Sequence, residues 1–391
     1  MPESKRLAPT SPFVCDPHTP EYQTNLFEIY RTLRDEFPVY HNAKRDLWML
    51  TRYDDVLAAL RDPETYSSAG VSEALQLQPM LIYMDGEPHR GLRGLVSRGF
   101  TPRRVAEMEP HIRGIAQRLL DDMAGSEFCD LMKSFASQLP SLVIGELIGI
   151  PEERREAFLS HTEGMIETGP QEHSIAEPAA KIHAEFSALL AERRGERRGD
   201  LMSALLGAEL DGKELSEEEL LGFCFLLVVG GNDTTMNLIG NGAVRLAHDP
   251  EARQRLVEDP GLIPGAVEEM LRIDAPAQAL PRTTRRDVDL HGETIPAGER
   301  VLVCYGAANL DERAFEDPER FDIDRKDNRH LSLGQGAHFC LGASLARLEA
   351  RVAFEELLAR YPEYTLAREP GWVTSRWARS HPEVVVRLTP S

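Results

Sequence analysis

The sequence contains few of the features that mark secreted, membrane or nucleic-acid-binding proteins. Its five cysteines are scattered, odd in number and form no CxxC pair, at positions Cys15, Cys129, Cys224, Cys304 and Cys340. This pattern excludes a disulfide framework and a clustered zinc site, and it favours a reducing, cytoplasmic location. No run of about 18 uncharged apolar residues occurs, so we expect no membrane span. The segment Met1–Pro12 is polar and lacks the apolar core of a signal peptide.

Positive charge is also scarce. The 44 Lys and Arg residues face 64 Asp and Glu residues, so the formal net charge is −20. This balance argues against a general nucleic-acid binder and favours a soluble, self-repelling protein. The 391 residues contain no internal repeat, low-complexity tract or long Ser/Gly linker. We therefore expect one domain over residues 1–391, with residues 1–20 extended or only partly ordered.

The spacing of apolar residues predicts a mostly α protein with small β-sheets (α+β). Helices are predicted over Leu26–Glu36, Pro88–Gly99, Pro102–Met123, Gln138–Ile148, Ala179–Arg194, Ser216–His248 and Gly342–Arg360. Thr101 is predicted to cap one of these helices, and a capping box formed by Ser216 and Glu219 to open another. Strands are predicted over Asp46–Tyr53, within Val288–Cys304 as a pair separated by turns at His291–Gly292 and Pro296–Gly298, and over Val384–Leu388.

A glycine-rich stretch around one cysteine is the most informative motif. The segment Leu331–Glu349 reads LSLGQGAHFCLGASLARLE, so Gly334, Gly336 and Gly342 surround Cys340. Glycine permits positive φ and lets a flat ligand approach the backbone, and the amides of a following helix stabilise a thiolate. A lone thiolate in such a loop suits an iron axial ligand. The structural alternative is a turn with a buried cysteine; a zinc site that uses His338 and Cys340 lacks two further ligands.

The centre of the long predicted helix breaks the local rules of helix composition. It reads Gly230-Gly231-Asn232-Asp233-Thr234-Thr235 after the apolar run FCFLLVV. Each glycine costs about 1 kcal/mol relative to alanine, and an acid in an apolar helix is costly unless it is satisfied. Such unfavourable residues are expected where a helix has a function. Here the glycines would let a ligand approach the backbone closely, and Asp233 and Thr234 would relay protons. The alternative is a kinked core helix.

Together these motifs resemble the cytochrome P-450 family. That family uses a loop of the type Phe-x-x-Gly-x-His/Arg-x-Cys-x-Gly, which Gly336, His338, Cys340 and Gly342 match, while Leu333 occupies the aromatic position. The helix pattern with an acid–alcohol pair is matched by Asp233 and Thr234, and Gly230 replaces a frequent alanine. Glu269-x-x-Arg272, Ala307–Asp311 and Pro318–Phe321 follow in the family order, with Leu310 in place of a frequent arginine.

The resemblance implies the cytochrome P-450 fold, mostly α with small β-sheets, and haem b (iron protoporphyrin IX) as the cofactor. By it, Cys340 binds the iron, Asp233 and Thr234 serve oxygen protonation and O–O scission, and Leu333 tunes the sulfur differently from an aromatic ring. Glu269 and Arg272 are expected to form a buried structural pair rather than the exposed pair that such spacing usually gives. The implied haem-contacting residues are His89, Arg93, Arg282, His338, Cys340 and Gly342.

The implied propionate ligands depend on residue type and spacing. His89 and Arg93 are four residues apart on one helix face, and Arg and His donors suit carboxylates, although each residue alone is more often a solvated cation. The preceding segment reads Asp85-Gly86-Glu87-Pro88, where members of the family often have Asp-Pro-Pro-Glu. This difference is expected to change how the helix begins.

A locally basic surface is expected near the cysteine. The segment Pro88–Ala106 holds five arginines and no acid, and further cations flank the loop at Arg325, Lys326, Arg329, Arg347 and Arg351. By resemblance, this face docks an acidic iron–sulfur ferredoxin, which receives electrons from its reductase. The alternative is a set of solvated helix faces.

The reaction implied is hydroxylation or epoxidation, in which one oxygen atom of O2 enters a small apolar organic substrate. Substrate contacts are expected from the apolar loop Ala69–Tyr83 and from positions around the distal helix and the last strands: Leu81, Leu226, Val229, Gly230, Ala277, Ala279, Leu280 and Trp377. Two other classes remain. One is a haem-binding sensor or carrier-protein recruiting domain without turnover, against which the intact Asp233–Thr234 pair speaks; the other is a haem-free helical interaction protein, which predicts no Soret absorption.

Overall fold

The computed structural model describes residues 13–69, 80–155, 157–161, 176–207, 209–210, 213–375 and 377–389. Helices dominate the described residues, as the apolar spacing predicts. In chain order they are α1 Pro20–Thr24, α2 Leu26–Glu36, α3 Tyr53–Arg61, α4 Gly86–Val96, α5 Pro102–Glu107, α6 Glu109–Asp122, α7 Gln138–Ile148, α8 Ala176–Gly195, α9 Leu201–Leu205, α10 Glu217–His248, α11 Pro250–Glu258, α12 Ile263–Ile273, α13 Tyr305–Ala308 and α14 Ala343–Arg360.

Short strands form small sheets beside the helices. They are β1 Val39–Asn42, β2 Leu47–Leu50, β3 Tyr66–Ser67, β4 Phe128–Asp130, β5 Glu209–Leu210, β6 Lys213–Glu214, β7 Leu280–Thr284, β8 Val288–Leu290, β9 Glu293–Ile295, β10 Arg300–Val303, β11 Thr365–Leu366 and β12 Val385–Arg387. One sheet has the order β1-β2-β10-β7-β3 and another β11-β12-β4. The β2–β10 pairing is parallel, whereas β10 and β7 run antiparallel. Small sheets of this kind complete the predicted α+β class.

Helix α10 is the 32-residue centre of the helical core. It begins where the sequence predicts, because the Ser216 side chain accepts from the Glu219 amide and the Glu219 side chain accepts from the Ser216 amide. The helix packs against α7 on one side and α14 on another. Most of its side chains are buried on all faces, which is how an apolar helix is accommodated in a large protein. The central residues of α10 are therefore held in position by the helices packed around them.

Two predicted helices are divided. Pro102–Met123 was expected to be continuous, but α5 ends at Glu107 and α6 begins at Glu109. Pro110 explains the break, because it has no amide hydrogen to continue the hydrogen-bond ladder. The predicted Pro88–Gly99 begins two residues earlier and ends in a 3₁₀ turn over Ser97–Gly99. The Thr101 cap is confirmed by its hydroxyl, which accepts from the Arg104 amide across 3.4 Å.

The strand predictions hold in part. The hairpin turn at His291–Gly292 joins β8 to β9, but β10 leaves that hairpin and pairs with β7 and β2. The strand expected over Asp46–Tyr53 is limited to β2, since Tyr53 opens α3. The last strand covers Val385–Arg387 within the predicted segment. Among the described helices, none is long and apolar enough to cross a membrane.

Residues 331–342, called the cysteine loop below, lie where two parts of the core meet. Leu331 packs in the cluster of the five-stranded sheet with Trp48 and Val301. Leu333 and Leu341 pack instead against the helical cluster that α10 and α14 share. The fold therefore places the cysteine loop between the sheet and the long helices.

Candidate active site

The cysteine loop is shaped by two glycines and one backbone contact. Gly334 and Gly336 have φ values of +71° and +69°, which glycine adopts at little cost. A Cβ atom at Gly336 would lie 2.7 Å from the carbonyl oxygen of Leu60, so the loop packs directly on α3. The Cys340 amide donates to the Leu333 carbonyl across 2.8 Å. These contacts hold Cys340 just before α14.

Opposing effects act on the pKa of the Cys340 thiol. Burial raises the pKa of the thiol above its ordinary value, while a hydrogen bond from the Gly342 amide and the charges of Arg93 and Arg347 lower it to a smaller extent. The predicted stabilisation by amides is therefore present, although α14 begins at Ala343 rather than directly after the cysteine. Because burial dominates, the neutral thiol is favoured over the thiolate in this environment.

Helix α4 brings His89 and Arg93 to the cysteine loop. The Arg93 guanidinium donates to the Phe339 carbonyl, next to Cys340 in the chain. The ring of His89 lies over that of His338, with 4.2 Å between the ring centroids. His89 is buried, and its Nε2 atom has no hydrogen-bond partner among the described residues. Burial, with the nearby His338 and Arg93, lowers the pKa of His89 to about 4, so its imidazole is neutral at pH 7.

Arg282 approaches the same region from the sheet. It lies in the middle of β7, opposite Val301, and its side chain is buried. The guanidinium donates to the Pro281 carbonyl across 2.7 Å and forms a hydrogen bond with the Tyr305 phenol. Burial raises the pKa of Tyr305, and the charges of Arg282 and Cys340 both act on it. Tyr305 is thus close to both predicted cofactor ligands.

The two glycines of α10 have different surroundings. A Cβ atom at Gly231 would lie 2.8 Å from Cδ1 of Ile144 on α7, so this glycine allows two helices to pack closely. At Gly230 the nearest atom would be Cδ1 of Leu226 at 4.0 Å, and Gly230 is exposed in the middle of an otherwise buried helix. Gly230 is therefore the position at which a flat ligand can approach the helix backbone.

Asp233 and Thr234 occupy the next turn of the helix. The Thr234 hydroxyl donates to the Gly230 carbonyl across 2.7 Å, which satisfies it within the helix. Burial alone raises the pKa of Asp233 to about 7. A carboxyl group with this pKa exchanges protons readily near neutral pH. Beside it, the Ser141 hydroxyl donates to Asn232 across 2.7 Å and ties α10 to α7.

The predicted substrate residues fall into two environments. Leu226, Val229, Ala277, Leu280 and Trp377 are half-buried, whereas Leu81 and Ala279 belong to the packed core. Ala279 packs with the N-terminal helices and β10, and Ala277 forms a β-bridge with Ala378. Of the predicted apolar loop Ala69–Tyr83, positions 70–79 lie outside the described residues.

Glu269 and Arg272 form a fully buried ion pair. Two hydrogen bonds of 2.7 and 2.8 Å join the carboxylate to the guanidinium. The same guanidinium donates to the carbonyls of Asn309, Pro318 and Arg320. Both side chains have 0% exposure, so this pair links α12 to the segment before the cysteine loop instead of facing solvent.

More of the basic residues near Cys340 form ion pairs with acids than the sequence suggests. Arg325 is not part of an open face, because its guanidinium contacts buried Glu269 at 3.1 Å. The remaining predicted cations that pair with acids are Arg90 with Glu87, Arg103 with Glu107, Arg347 with Glu268, and Arg351 with Glu109 and Glu355. Arg329 lies over the Tyr53 ring, and Arg104 is exposed without an ion pair among the described residues.

Sequence reasoning did not single out two acids with little exposure, Asp85 beside the cysteine loop and Glu349 on α14. Asp85 lies 3.6 Å from His338, and Glu349 is a buried acid on α14 with an unpartnered Oε2 among the described residues. Burial raises the pKa of Glu349 to about 8. The only available signal for Asp85 was its place before Gly86, where members of the family often have proline. For Glu349 there was none, since LARLEA reads as an ordinary helix.

The residues of this region fit a haem. A haem requires an axial ligand for iron and donors for two carboxylates. Cys340 offers the sulfur, and His89 offers a buried ring nitrogen that lacks a partner among the described residues. Gly230 presents bare backbone in the core, and Arg93 and Arg282 supply guanidinium groups. The chemistry of the donor set therefore agrees with a haem.

Comparisons with known proteins point the same way. The sequence profile of the family described as cytochrome P450 matches residues 261–367. A putative cytochrome P450 123 of Mycobacterium tuberculosis is 41% identical over 368 residues, which is 90% of each chain. A vitamin D(3) 25-hydroxylase of Pseudonocardia autotrophica is 42% identical over 355 residues, which is 88% of each chain. The structure of cytochrome P450 CYP109Q5 from Chondromyces apiculatus has a TM-score of 0.90 at 37% identity and covers 96% of this chain and 98% of that chain.

These similarities cover most of the chain at identities that show a common family and not the fold alone. The predicted family, its mostly α fold with small sheets and its haem b cofactor are confirmed. The hydroxylase among the relatives catalyses a monooxygenase reaction, so the predicted enzyme class is confirmed as well. The chain belongs to the cytochrome P450 family and is a haem b-dependent monooxygenase.

Proposed function

We propose that Cys340 is the axial ligand of the haem iron and that His89, Arg93, Arg282 and His338 hold the haem carboxylates, with Gly342 beside the sulfur. The observation that carries this proposal is the contact between α4 and the cysteine loop. It places the tilted pair of His89 and His338 rings and the Arg93 guanidinium next to Cys340, which follows the positive-φ glycines Gly334 and Gly336. Glu269 and Arg272 form a structural ion pair that stabilises the segment before the cysteine loop.

Asp233 and Thr234 are the proposed catalytic residues. Haem, when bound, supplies the reduction of O2 and the transfer of one oxygen atom. The overall reaction joins RH, O2, two electrons and two protons to give ROH and water. Asp233 suits the delivery of those protons, because burial raises its pKa to about 7. Thr234, one residue further along α10, carries the hydroxyl that can pass a proton from Asp233 to the cofactor side.

The proposed substrate is a small apolar organic molecule that is hydroxylated or epoxidised. Half-buried apolar side chains at Leu226, Val229, Leu280 and Trp377 support this class, since apolar surfaces bind apolar ligands by excluding water. Gly230 leaves room beside Leu226 on the same face of α10. The vitamin D(3) 25-hydroxylase relative acts, by its name, on a molecule of this general class.

The proposed electron donor is an acidic iron–sulfur ferredoxin supplied by its reductase. Helix α5, which carries the exposed Arg104, packs against α14, the helix that follows Cys340, and this supports docking of the donor on that face. We further propose that residues 1–391 act as one domain in the cytoplasm. All five cysteines are free thiols, which favours a reducing compartment.

Replacement of the proposed ligand tests this function. Cys340→Ser is expected to abolish the red-shifted carbon monoxide band of the reduced protein, because an alcohol does not replace the thiolate. Cys129→Ser is the matched control, since Cys129 is a half-buried free thiol on β4. Its band is expected to be that of the unaltered protein. A band that survives in Cys340→Ser would show that another residue ligates the iron.

Conversion of candidate substrates then separates an enzyme from a haem-binding protein without turnover. Compounds are first selected by the shift they cause in the Soret band and are then incubated with ferredoxin, reductase and NAD(P)H. An oxygenated product that carries one atom of labelled O2 is expected. Ligand-induced shifts without product across broad trials would favour a sensor or recruiting role.

A further inference from the structure

The carboxylate of Asp85 joins three segments of the site. Asp85 occupies the N-cap position of α4, yet its side chain does not cap that helix. Instead it accepts from the Ser67 hydroxyl at 2.6 Å, the Ser68 amide at 3.1 Å and the Ala69 amide at 3.2 Å. A carboxylate that accepts several hydrogen bonds from a distant segment fixes that segment relative to its own. The end of β3 is therefore fastened to the beginning of α4.

The same carboxylate reaches the cysteine loop. Oδ1 of Asp85 lies 3.6 Å from Nε2 of His338, and the Ser68 hydroxyl lies 3.3 Å from that nitrogen. Arg285, at the end of the sheet, donates to both Asp85 and Ser67 at 3.0 Å. Both contacts of His338 use Nε2, so Nδ1 remains for another acceptor. A haem carboxylate beside Nδ1 would give each ring nitrogen an oxygen partner.

The backbone after Asp85 makes this arrangement possible. Gly86 has φ +64°, a left-handed conformation, and no atom lies within 4 Å of the position that a Cβ would occupy. Proline, which is frequent here in the family, has φ fixed near −65° and cannot adopt this conformation. The unusual Gly86 thus accompanies a side chain that turns away from its own helix and toward Ser67, Ser68 and His338.

We propose that Asp85 is a positioning residue for the haem site, which holds the His338 ring by Nε2 so that Nδ1 is presented to a haem carboxylate. The carboxylate is nearly buried, with 9% side-chain exposure. Burial raises its pKa, but the hydrogen bonds from His338, Ser67, Ala69 and Ser68 lower it further, so the pKa lies well below the usual range. Asp85 is thus ionised at pH 7. The inference rests on the proposed role of His338.

Haem retention in the intact holoenzyme measures this role. Asp85→Asn keeps the volume of the side chain but removes its charge, and it is expected to speed haem transfer to apomyoglobin roughly tenfold. Glu87→Gln is the matched control. This acid, two residues away, is 83% exposed and forms an ion pair with Arg90, and haem transfer is expected to keep its rate. Resonance Raman bands of propionate bending are expected to shift in Asp85→Asn and not in Glu87→Gln.

A double-mutant cycle distinguishes positioning from general support. If Asp85 acts through His338, Asp85→Asn adds little to the haem loss of His338→Ala. Additive effects, or an unchanged propionate band in Asp85→Asn, would overturn the inference. A normal rate of haem loss in His338→Ala would instead overturn the proposed role of His338. Should Asp85→Asn fail to fold, Ser68→Ala removes the second Nε2 contact and is expected to accelerate haem loss in the same direction; an unchanged rate in that variant would also overturn the inference.

Discussion

At the scale of single residues, Asp233 shows how burial changes the proton affinity of an acid. An ordinary aspartate is ionised at neutral pH, but burial raises the pKa of Asp233 to about 7, and no counter-charge opposes this shift. Below pH 7 the group holds a proton that it can give, and above pH 7 it accepts one. The residue is therefore suited to repeated proton delivery in a site that consumes two protons per turnover.

We expect Asp233→Asn to lower kcat about 100-fold, because the amide cannot donate a carboxyl proton. The dependence of kcat on pH near pH 7 should disappear in this variant, while the Soret shift on substrate binding should remain. Steady-state oxidation between pH 6 and 8 measures both effects. Glu218→Gln, which alters an exposed acid on the same helix, is the control. An unaltered pH profile in Asp233→Asn would assign proton delivery to another group.

Glu349 is a second buried acid, and its effect is on stability. Burial raises the pKa of Glu349 to about 8, whereas an unfolded glutamate titrates near 4.3. Between these values the folded state binds more protons than the unfolded state, so this residue makes the free energy of unfolding fall as pH rises. Above about pH 8 both states are deprotonated and the effect is constant.

Glu349→Gln should therefore become more stable relative to the unaltered protein as pH rises from 5 to 8. The expected gain at pH 8 over pH 5 is on the order of 3 kcal/mol. Denaturant unfolding at several pH values, at equal haem content, measures this difference. Glu356→Gln provides a control, because Glu356 lies on the same helix but pairs with Arg113. A stability difference that is independent of pH would show that Glu349 is ionised throughout.

The site residues that the sequence singles out share one property: their chemistry is visible in a local motif. Cys340 lies in a glycine-rich loop, and Asp233 interrupts an apolar helix. Arg325 and Glu349 could not be interpreted in this way. Arg325 contacts Glu269, which is 56 positions away in the chain, and the burial of Glu349 depends on the packing of several helices around α14. Long-range partners of this kind are set by tertiary structure.

At the scale of elements, α10 combines two different uses of glycine. Gly231 permits the close approach of Ile144, and Gly230 leaves backbone surface uncovered where we propose that the cofactor lies. The bounds of α10 could be predicted because its capping box and its apolar period agree, and those of α7 could be predicted from its apolar period. The break between α5 and α6 was missed although Pro110 was visible, since the apolar period continues across it. The partners of β10 depend on chain topology, which a hairpin pattern does not contain.

Alanine substitutions at the two glycines should have opposite effects on stability. Gly230→Ala is expected to stabilise the helix by about 1 kcal/mol, because its Cβ would meet only Cδ1 of Leu226 at an ordinary contact distance of 4.0 Å. Gly231→Ala gains the same helix propensity but crowds Ile144, which typically costs about 1–3 kcal/mol. Ile144→Val removes the crowded Cδ1 atom and should reduce the loss in the double variant. Thermal unfolding at equal haem content makes the comparison; equal stability of Gly230→Ala and Gly231→Ala would contradict the packing argument.

At the scale of the whole molecule, the net charge of −20 opposes the proposed partner. An acidic ferredoxin is repelled at long range, so docking depends on cations whose charge is not already compensated. Arg103 and Arg104 are neighbours on α5 and both are exposed. Arg103 pairs with Glu107 at 3.2 Å, whereas Arg104 has no ion pair among the described residues. The two residues therefore form a matched pair for testing the docking face.

We expect Arg104→Gln to slow association with reduced acidic ferredoxin about threefold at low ionic strength, because it removes an uncompensated charge. Arg103→Gln should have a smaller effect, since its guanidinium is already engaged by Glu107. Both effects should fade as salt is raised, because the Debye length falls to about 3 Å at 1 M. Stopped-flow reduction under carbon monoxide gives the second-order rates. Equal slowing by both variants would mean that net charge alone governs encounter, and no slowing by either would place the docking face elsewhere.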